Sequence, residues 1–120
     1  MPTTTINIQS YVINLASYPD FNSWKACVYL YRSNGTMAAD IRFVDDPGTF
    51  VDYNSINPTG CSQFHIDYKE FPVWADVLHN NNVLRLLLYS NGTPRMLLQA
   101  WKTRFLIFRS YRNIYRLPET

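Results

Sequence analysis

Two copies of the tetrapeptide Ser-Asn-Gly-Thr constrain this chain more than any other feature of its sequence. They occupy residues 33–36 and 90–93, and each lies between two runs that are rich in aliphatic and aromatic residues. Asn-Gly supplies the two positive-φ residues of a type I′ turn, which joins adjacent antiparallel strands. The sequence therefore predicts two β-hairpins, with strands over residues 24–31, 37–44, 83–89 and 95–101.

One helix is predicted between the two hairpins, over residues 71–80. Its apolar residues recur at the i, i+3, i+4, i+7 spacing of a buried helical stripe. Pro72 suits the first turn, where a backbone N–H is not needed. The stripe consists of Phe71, Trp74, Ala75 and Leu78.

Residues 6–15 and 63–69 are also predicted to be strands, because apolar residues alternate with polar ones. In the first segment the alternation changes parity near Gln9 and Ser10, which indicates a β-bulge. Aromatic residues make up 16% of the chain, and they favour sheets. We therefore expect an α+β fold, with a mostly antiparallel sheet of about six strands and the short helix packed on one face.

The length of 120 residues predicts a single domain, 1–120. Duplication of a unit over residues 1–62 and 63–120 is an alternative, because each hairpin follows an aromatic-Pro-x-aromatic step. These steps occupy residues 18–21 and 71–74. Coincidence also explains the repeat, since any tight hairpin selects Asn-Gly.

Charge is divided unevenly along the chain, whose formal net charge is +2. Residues 1–84 contain four basic and eight acidic residues (−4), and residues 85–120 contain seven basic residues and one acidic residue (+6). Near the C-terminus arginines are interspersed with aromatic residues, a pattern that suits phosphate binding and base stacking. The candidate nucleic-acid-binding residues are Lys102, Arg104, Arg109, Tyr111, Arg112, Tyr115 and Arg116.

This C-terminal segment has other interpretations. Its aromatic residues would serve equally well as core, with the arginines at the rim of the fold. A homodimer would place the basic segment against the acidic part of a second copy. The spacing of its apolar residues is helical whereas the residue types favour strands, and we expect a strand near residues 104–109 followed by a turn or a short helix.

Cys61, His65 and Asp67 are the candidate residues for binding a small molecule or for catalysis. His65 and Asp67 lie two residues apart on a predicted strand and share a face, opposite Phe64 and Ile66. A zinc site needs three or four ligands at a recognised spacing, and a nucleophilic cysteine needs an adjacent base and an orienting group. Neither pattern is complete, so we expect no catalytic residue, metal site or cofactor.

Composition and motifs exclude several classes of protein. Two cysteines are too few for a disulfide scaffold or a Cys-rich zinc site. The sequence contains no G-x-S-x-G, no H-E-x-x-H and no Gly-rich phosphate loop. It has neither a basic N-terminal region nor an apolar run of roughly 20 residues, so we expect a cytoplasmic protein with no membrane partner.

Three hypotheses for function follow. The leading one is a small intracellular binding or interaction module without enzymatic activity, acting as a homodimer. The second is a single-stranded nucleic-acid-binding domain that uses the C-terminal segment. The third is a small-molecule-binding protein or an enzyme with a cleft near His65 and Asp67.

Overall fold

The computed structural model describes residues 3–16, 24–81 and 83–101, and within these ranges the chain forms seven strands and one α-helix. The helix, α1 (Phe71–Asn80), follows a 3-10 turn at Tyr68–Glu70, and a longer 3-10 helix at Pro47–Tyr53 connects the fourth and fifth strands. The strands are β1 (Thr4–Ile8), β2 (Ser10–Leu15), β3 (Ala26–Tyr31), β4 (Met37–Val44), β5 (Ser62–Asp67), β6 (Val83–Tyr89) and β7 (Arg95–Trp101).

The strands form two sheets rather than the single sheet expected. One sheet has three strands in the order β1-β6-β7, and the other has four strands in the order β2-β3-β4-β5. Every pair is antiparallel except β4–β5, which is parallel. The predicted α+β class and the mostly antiparallel pairing are confirmed, and so is the helix over residues 71–80.

The chain changes sheet at Gln9. The predicted strand over residues 6–15 is in fact two strands, because β1 pairs with β6 whereas β2 pairs with β3. Between them the backbone N–H of Gln9 donates to the carbonyl oxygen of Tyr31 at 2.8 Å. The change of parity in the sequence therefore marks a corner between two sheets rather than a bulge within one strand.

Both sheets and α1 contribute to one hydrophobic core. Leu86 and Leu88 of β6 are fully buried, and so is Phe43 of β4. The ring centroid of Phe43 lies 5.2 Å from that of Phe71 and 5.6 Å from that of Trp74, both in edge-on geometry. These contacts hold the buried face of α1 against the four-stranded sheet. The spacing of the apolar residues in α1 predicts this buried face.

The connection between β3 and β4 contains a three-residue loop, residues 33–35, between Arg32 and Thr36. The N–H of Gly35 donates to the carbonyl of Arg32 at 3.0 Å, and the N–H of Arg32 donates to the carbonyl of Thr36 at 2.9 Å. Gly35 has a φ of +89°, so it occupies the left-handed position that follows the turn. This pattern is typical of a turn followed by a glycine bulge, whereas the sequence favours a two-residue type I′ turn.

No helix within the described ranges is long and apolar enough to cross a membrane.

Residues 18–21, on which half of the duplication argument depends, lie outside the described part of the chain, and so do residues 102–120.

Candidate functional site

His65 is held by contacts from the segment that connects β4 and β5. The side-chain oxygen of Asn54 lies 2.9 Å from both the backbone nitrogen and Nδ1 of His65. The ring of Phe50, from the 3-10 helix, stacks on the imidazole with centroids 4.8 Å apart. Because an amide oxygen only accepts hydrogen bonds, Nδ1 carries the proton in this arrangement. His65 is therefore half-buried and anchored. The alternation of residues 63–69 in the sequence predicts instead that its side chain points to solvent.

Cys61 and Asp67 have local partners of their own. The carboxylate of Asp67 accepts the backbone N–H of Lys69 at 3.0 Å, which caps the following 3-10 turn. The thiol of Cys61 is exposed and lies 3.5 Å from the carbonyl oxygen of Ser62. Among the described residues no group of three or more His, Cys, Asp or Glu side chains could hold a metal ion.

A second polar cluster lies on the outer face of the four-stranded sheet. Strand register places Cys27 beside Arg42, and Arg42 beside His65. Asp40 joins the cluster, because its carboxylate accepts the Cys27 thiol at 3.1 Å and a guanidinium N–H of Arg42 at 3.2 Å. Sequence analysis missed Asp40 and Arg42, since only the parallel pairing of β4 with β5 brings them close to His65.

Electrostatics in this cluster disfavour nucleophilic chemistry at the two thiols. Burial raises the pKa of Cys27 to about 12, and the hydrogen bond and charge of Asp40 act in the same direction. Burial also raises the pKa of Cys61. The pKa of His65 is lowered by burial and then by the positive charge of Arg42. Both thiols therefore remain protonated and the imidazole remains neutral near pH 7.

The outer face of the three-stranded sheet has a different character. Leu84, Leu86 and Leu88 point into the core, so the alternating residues of β6 lie on the opposite face. Cross-strand register adds their partners on β1 and β7. This surface, called the basic face below, consists of Thr5, Asn7, Arg85, Leu87, Tyr89, Arg95, Leu97 and Gln99.

Two arginines are positioned on the basic face. Nε and Nη2 of Arg85 donate to the side-chain oxygen of Gln99 at 3.1 and 2.6 Å. The guanidinium of Arg95 lies 5.1 Å from the centroid of the Tyr89 ring, in cation–π geometry. Leu97 is 49% exposed beside them. The three strands contain no Asp or Glu.

An apolar groove of about 270 Å³ runs between α1 and β7. Val73 and Leu97 are exposed along it, at 64% and 49%. Among the described residues that line it, Glu70 alone is ionisable. The described residues that line it are Ile66, Glu70, Val73, Trp74, Val77, Met96, Leu97 and Leu98. We call this feature the α1–β7 groove.

The nucleic-acid-binding residues predicted from the sequence lie outside the described residues. They are Lys102, Arg104, Arg109, Tyr111, Arg112, Tyr115 and Arg116. What the structure adds is a basic surface on β6 and β7, immediately before this segment in the chain. The alternation of residues 83–89 was the sequence signal for that surface.

Comparison with known proteins finds no family model that matches the chain, no curated protein similar in sequence and no matching solved structure.

Proposed function

We propose that this protein is a non-enzymatic binding module that binds single-stranded nucleic acid on the basic face. The observation that carries the proposal is the placement of Arg85, Arg95 and Tyr89 on one exposed sheet surface whose strands contain no carboxylate. Phosphate backbones are bound chiefly by basic surfaces.

The distribution of acidic residues supports this choice of surface. Every Asp and Glu of the described residues lies between residues 40 and 76, outside all three strands of the basic face. Asp40 is already paired with Arg42, and Asp67 caps a backbone N–H. A polyanion that approaches β6 and β7 meets two guanidinium groups and no facing carboxylate from that sheet.

The chemistry of the basic face favours a single strand over a duplex. Tyr89 with Arg95 above its ring offers a planar surface for an unpaired base. Leu87 and Leu97 add apolar contact area between the two polar rows. A duplex hides its base faces, so a flat sheet surface would reach only its phosphates.

Fluorescence anisotropy tests the proposal with a labelled single strand and the matching duplex, each at low and at physiological salt. We expect the single strand to bind more tightly, with an affinity that falls steeply as salt rises. No binding at low salt would overturn the proposal. Equal affinity for the duplex would remove the preference for a single strand.

The other two hypotheses have less support from the contacts described. A cleft that uses His65 and Asp67 would have to displace Asn54, Phe50 and a capping interaction.

The homodimer remains a prediction from the sequence. The mass in dilute solution tests it, and the mass of a monomer would contradict it.

A further inference from the structure

Each Ser-Asn-Gly-Thr turn contains an asparagine followed by a glycine, the pair of residues that most readily undergoes intramolecular deamidation. The reason is steric, because glycine has no side chain to hinder its own backbone nitrogen. We propose that Asn91 is a site of spontaneous deamidation in the folded protein, whereas Asn34 is protected by the hydrogen bonds of its turn. This inference does not depend on nucleic-acid binding.

The reaction is a ring closure within the chain, followed by hydrolysis. The backbone nitrogen of Gly92 attacks Cγ of Asn91, so that an N–C bond forms and the side-chain nitrogen leaves as ammonia, which carries away the proton of the Gly92 N–H. Water then opens the cyclic imide at either of its two carbonyl carbons. The products are aspartate and isoaspartate, and water is the only co-reactant.

Steric access is the same at the two sites. Both asparagines are exposed, and the glycines that follow them have positive φ angles, +89° at Gly35 and +78° at Gly92. At either glycine, no atom beyond its two chain neighbours lies within 4 Å of the position that a Cβ would take. The two sites therefore differ chiefly in the hydrogen bonds around the reacting atoms.

The turn at residues 33–36 holds both reacting groups. The N–H of Gly35 donates to the carbonyl oxygen of Arg32 at 3.0 Å. The side-chain oxygen of Asn34 accepts the backbone N–H of Thr36 at 2.9 Å and its hydroxyl at 2.7 Å. Ring closure has to release the Gly35 nitrogen and turn the Asn34 amide toward it. Each hydrogen bond that breaks costs free energy before the new bond forms.

The turn at residues 90–93 is anchored one residue earlier. Ser90 donates to the hydroxyl oxygen of Thr3 through its backbone N–H at 3.3 Å and through its own hydroxyl at 2.9 Å. Within the described part of the chain, no hydrogen bond engages the side-chain amide of Asn91 or the N–H of Gly92. The Asn91 amide can therefore approach the Gly92 nitrogen while Ser90 stays in place.

Deamidation of Asn91 changes the charge of the connection between β6 and β7. A neutral amide becomes a carboxylate, which lowers the formal net charge of +2 by one unit. The new carboxylate lies at the end of a hairpin whose two strands contain no Asp or Glu. The modified protein is therefore separable from the unmodified protein as a more acidic species.

Peptide mapping of the full chain during incubation in mildly alkaline buffer tests the inference. Trypsin releases the two sites in separate peptides, residues 33–42 and 86–95, because an arginine precedes and ends each. In the folded protein we expect peptide 86–95 to deamidate at least about fivefold faster than peptide 33–42, because the first turn must open before it reacts. In denaturant the two rates should agree within about twofold, since the turns are lost.

Each outcome of the mapping decides the proposal. Faster reaction of peptide 86–95 in the folded protein alone supports it. Equal rates in the folded protein, or faster reaction at Asn34, overturn it. A difference that persists in denaturant also overturns it, because the flanking sequence would then be the cause. Reaction at both sites in denaturant and at neither in the folded protein overturns the reactivity of Asn91.

Two matched substitutions give an independent readout by isoelectric focusing. Asn91→Gln lengthens the side chain by one methylene, so the cyclic imide would be a larger ring that closes more slowly. The folded Asn91→Gln protein should lose most of the acidic species, whereas the folded Asn34→Gln protein should form it at the rate of the unmodified protein. Undiminished formation of the acidic species in Asn91→Gln would overturn the proposal.

Discussion

The thiol of Cys27 donates a hydrogen bond to the carboxylate of Asp40, with 3.1 Å between sulfur and oxygen. The same carboxylate accepts a guanidinium N–H of Arg42. In the four-stranded sheet, Arg42 is thus paired with a carboxylate of its own strand. The three strands that carry Arg85 and Arg95, in contrast, contain no Asp or Glu. This contrast is the physical basis for placing the binding surface on β6 and β7.

Thiol reactivity is the first prediction. Cys27 is 1% exposed and its pKa is raised to about 12, mainly by burial, so its thiolate is scarce at neutral pH. We expect one equivalent of thiol to react with a disulfide reagent in the folded protein and two after unfolding. Cys61→Ser should abolish the reaction of the folded protein. Rapid reaction of two thiols in the native state would contradict the geometry around Cys27.

The pH dependence of stability is the second prediction. Burial and the nearby Arg42 lower the pKa of His65 in the folded state. Between that pKa and the ordinary value of about 6.5, the unfolded chain binds more protons at this residue. The free energy of unfolding should therefore decrease as pH falls through this window.

Replacing the histidine isolates its contribution. Denaturant unfolding at pH 7.5 and 5.5 should show a smaller loss of stability in His65→Asn than in the unmodified protein. His79→Asn, which removes an exposed histidine on α1, is the control for loss of an imidazole. An unchanged pH dependence in His65→Asn would show that the imidazole is equally easy to protonate in the folded and unfolded states.

Core packing around Phe43 gives the third prediction. Phe43 is fully buried and contacts both Phe71 and Trp74. Phe43→Ala should lower the free energy of unfolding by roughly 3–5 kcal/mol, as large-to-small changes in cores do. Trp74→Ala should cost less, because Trp74 is only half-buried beside the groove. Urea denaturation measures both, and a loss for Phe43→Ala below about 1 kcal/mol would contradict the packing described.

Backbone strain at Gly35 gives the fourth prediction. Gly35 has a φ of +89°, and no atom beyond its two chain neighbours lies within 4 Å of the position that a Cβ would take. Gly35→Ala should therefore destabilise the protein through the backbone alone, by about 1–2 kcal/mol. Gly48→Ala is the matched control, since its Cβ would meet Asp46 at an ordinary 3.6 Å without a positive φ. Equal effects of the two substitutions on stability would contradict the left-handed conformation of Gly35.

Local signals in the sequence predicted much of this fold, and long-range pairing accounts for the rest. The strands on either side of residues 33–36 and 90–93 follow from turn chemistry and alternation, and α1 follows from its apolar spacing. The division into two sheets depends on which distant strand pairs with β1 and which with β2. No pattern within a single strand encodes that choice.

The candidate surfaces could likewise be predicted only in part, because they also depend on pairing between distant strands. The alternation of residues 83–89 places Arg85 opposite the buried leucines, so one strand of the basic face could be predicted. Its neighbour across the sheet, Gln99, follows only from the register of β6 with β7. Likewise, the link between Arg42 and His65 depends on the parallel pairing of β4 and β5, which most hairpin-rich sequences do not use.

The most direct test of the proposed function compares two charge reversals that alter net charge equally. Arg95→Glu changes the basic face, whereas Lys69→Glu changes an exposed residue beyond β5. Anisotropy with a labelled single-stranded oligonucleotide at low salt should show at least about a tenfold loss of affinity for Arg95→Glu, with a shallower salt dependence. Lys69→Glu should bind within about twofold of the unmodified protein, because it lies outside the contact surface. Equal losses of affinity in the two variants would contradict binding on the basic face.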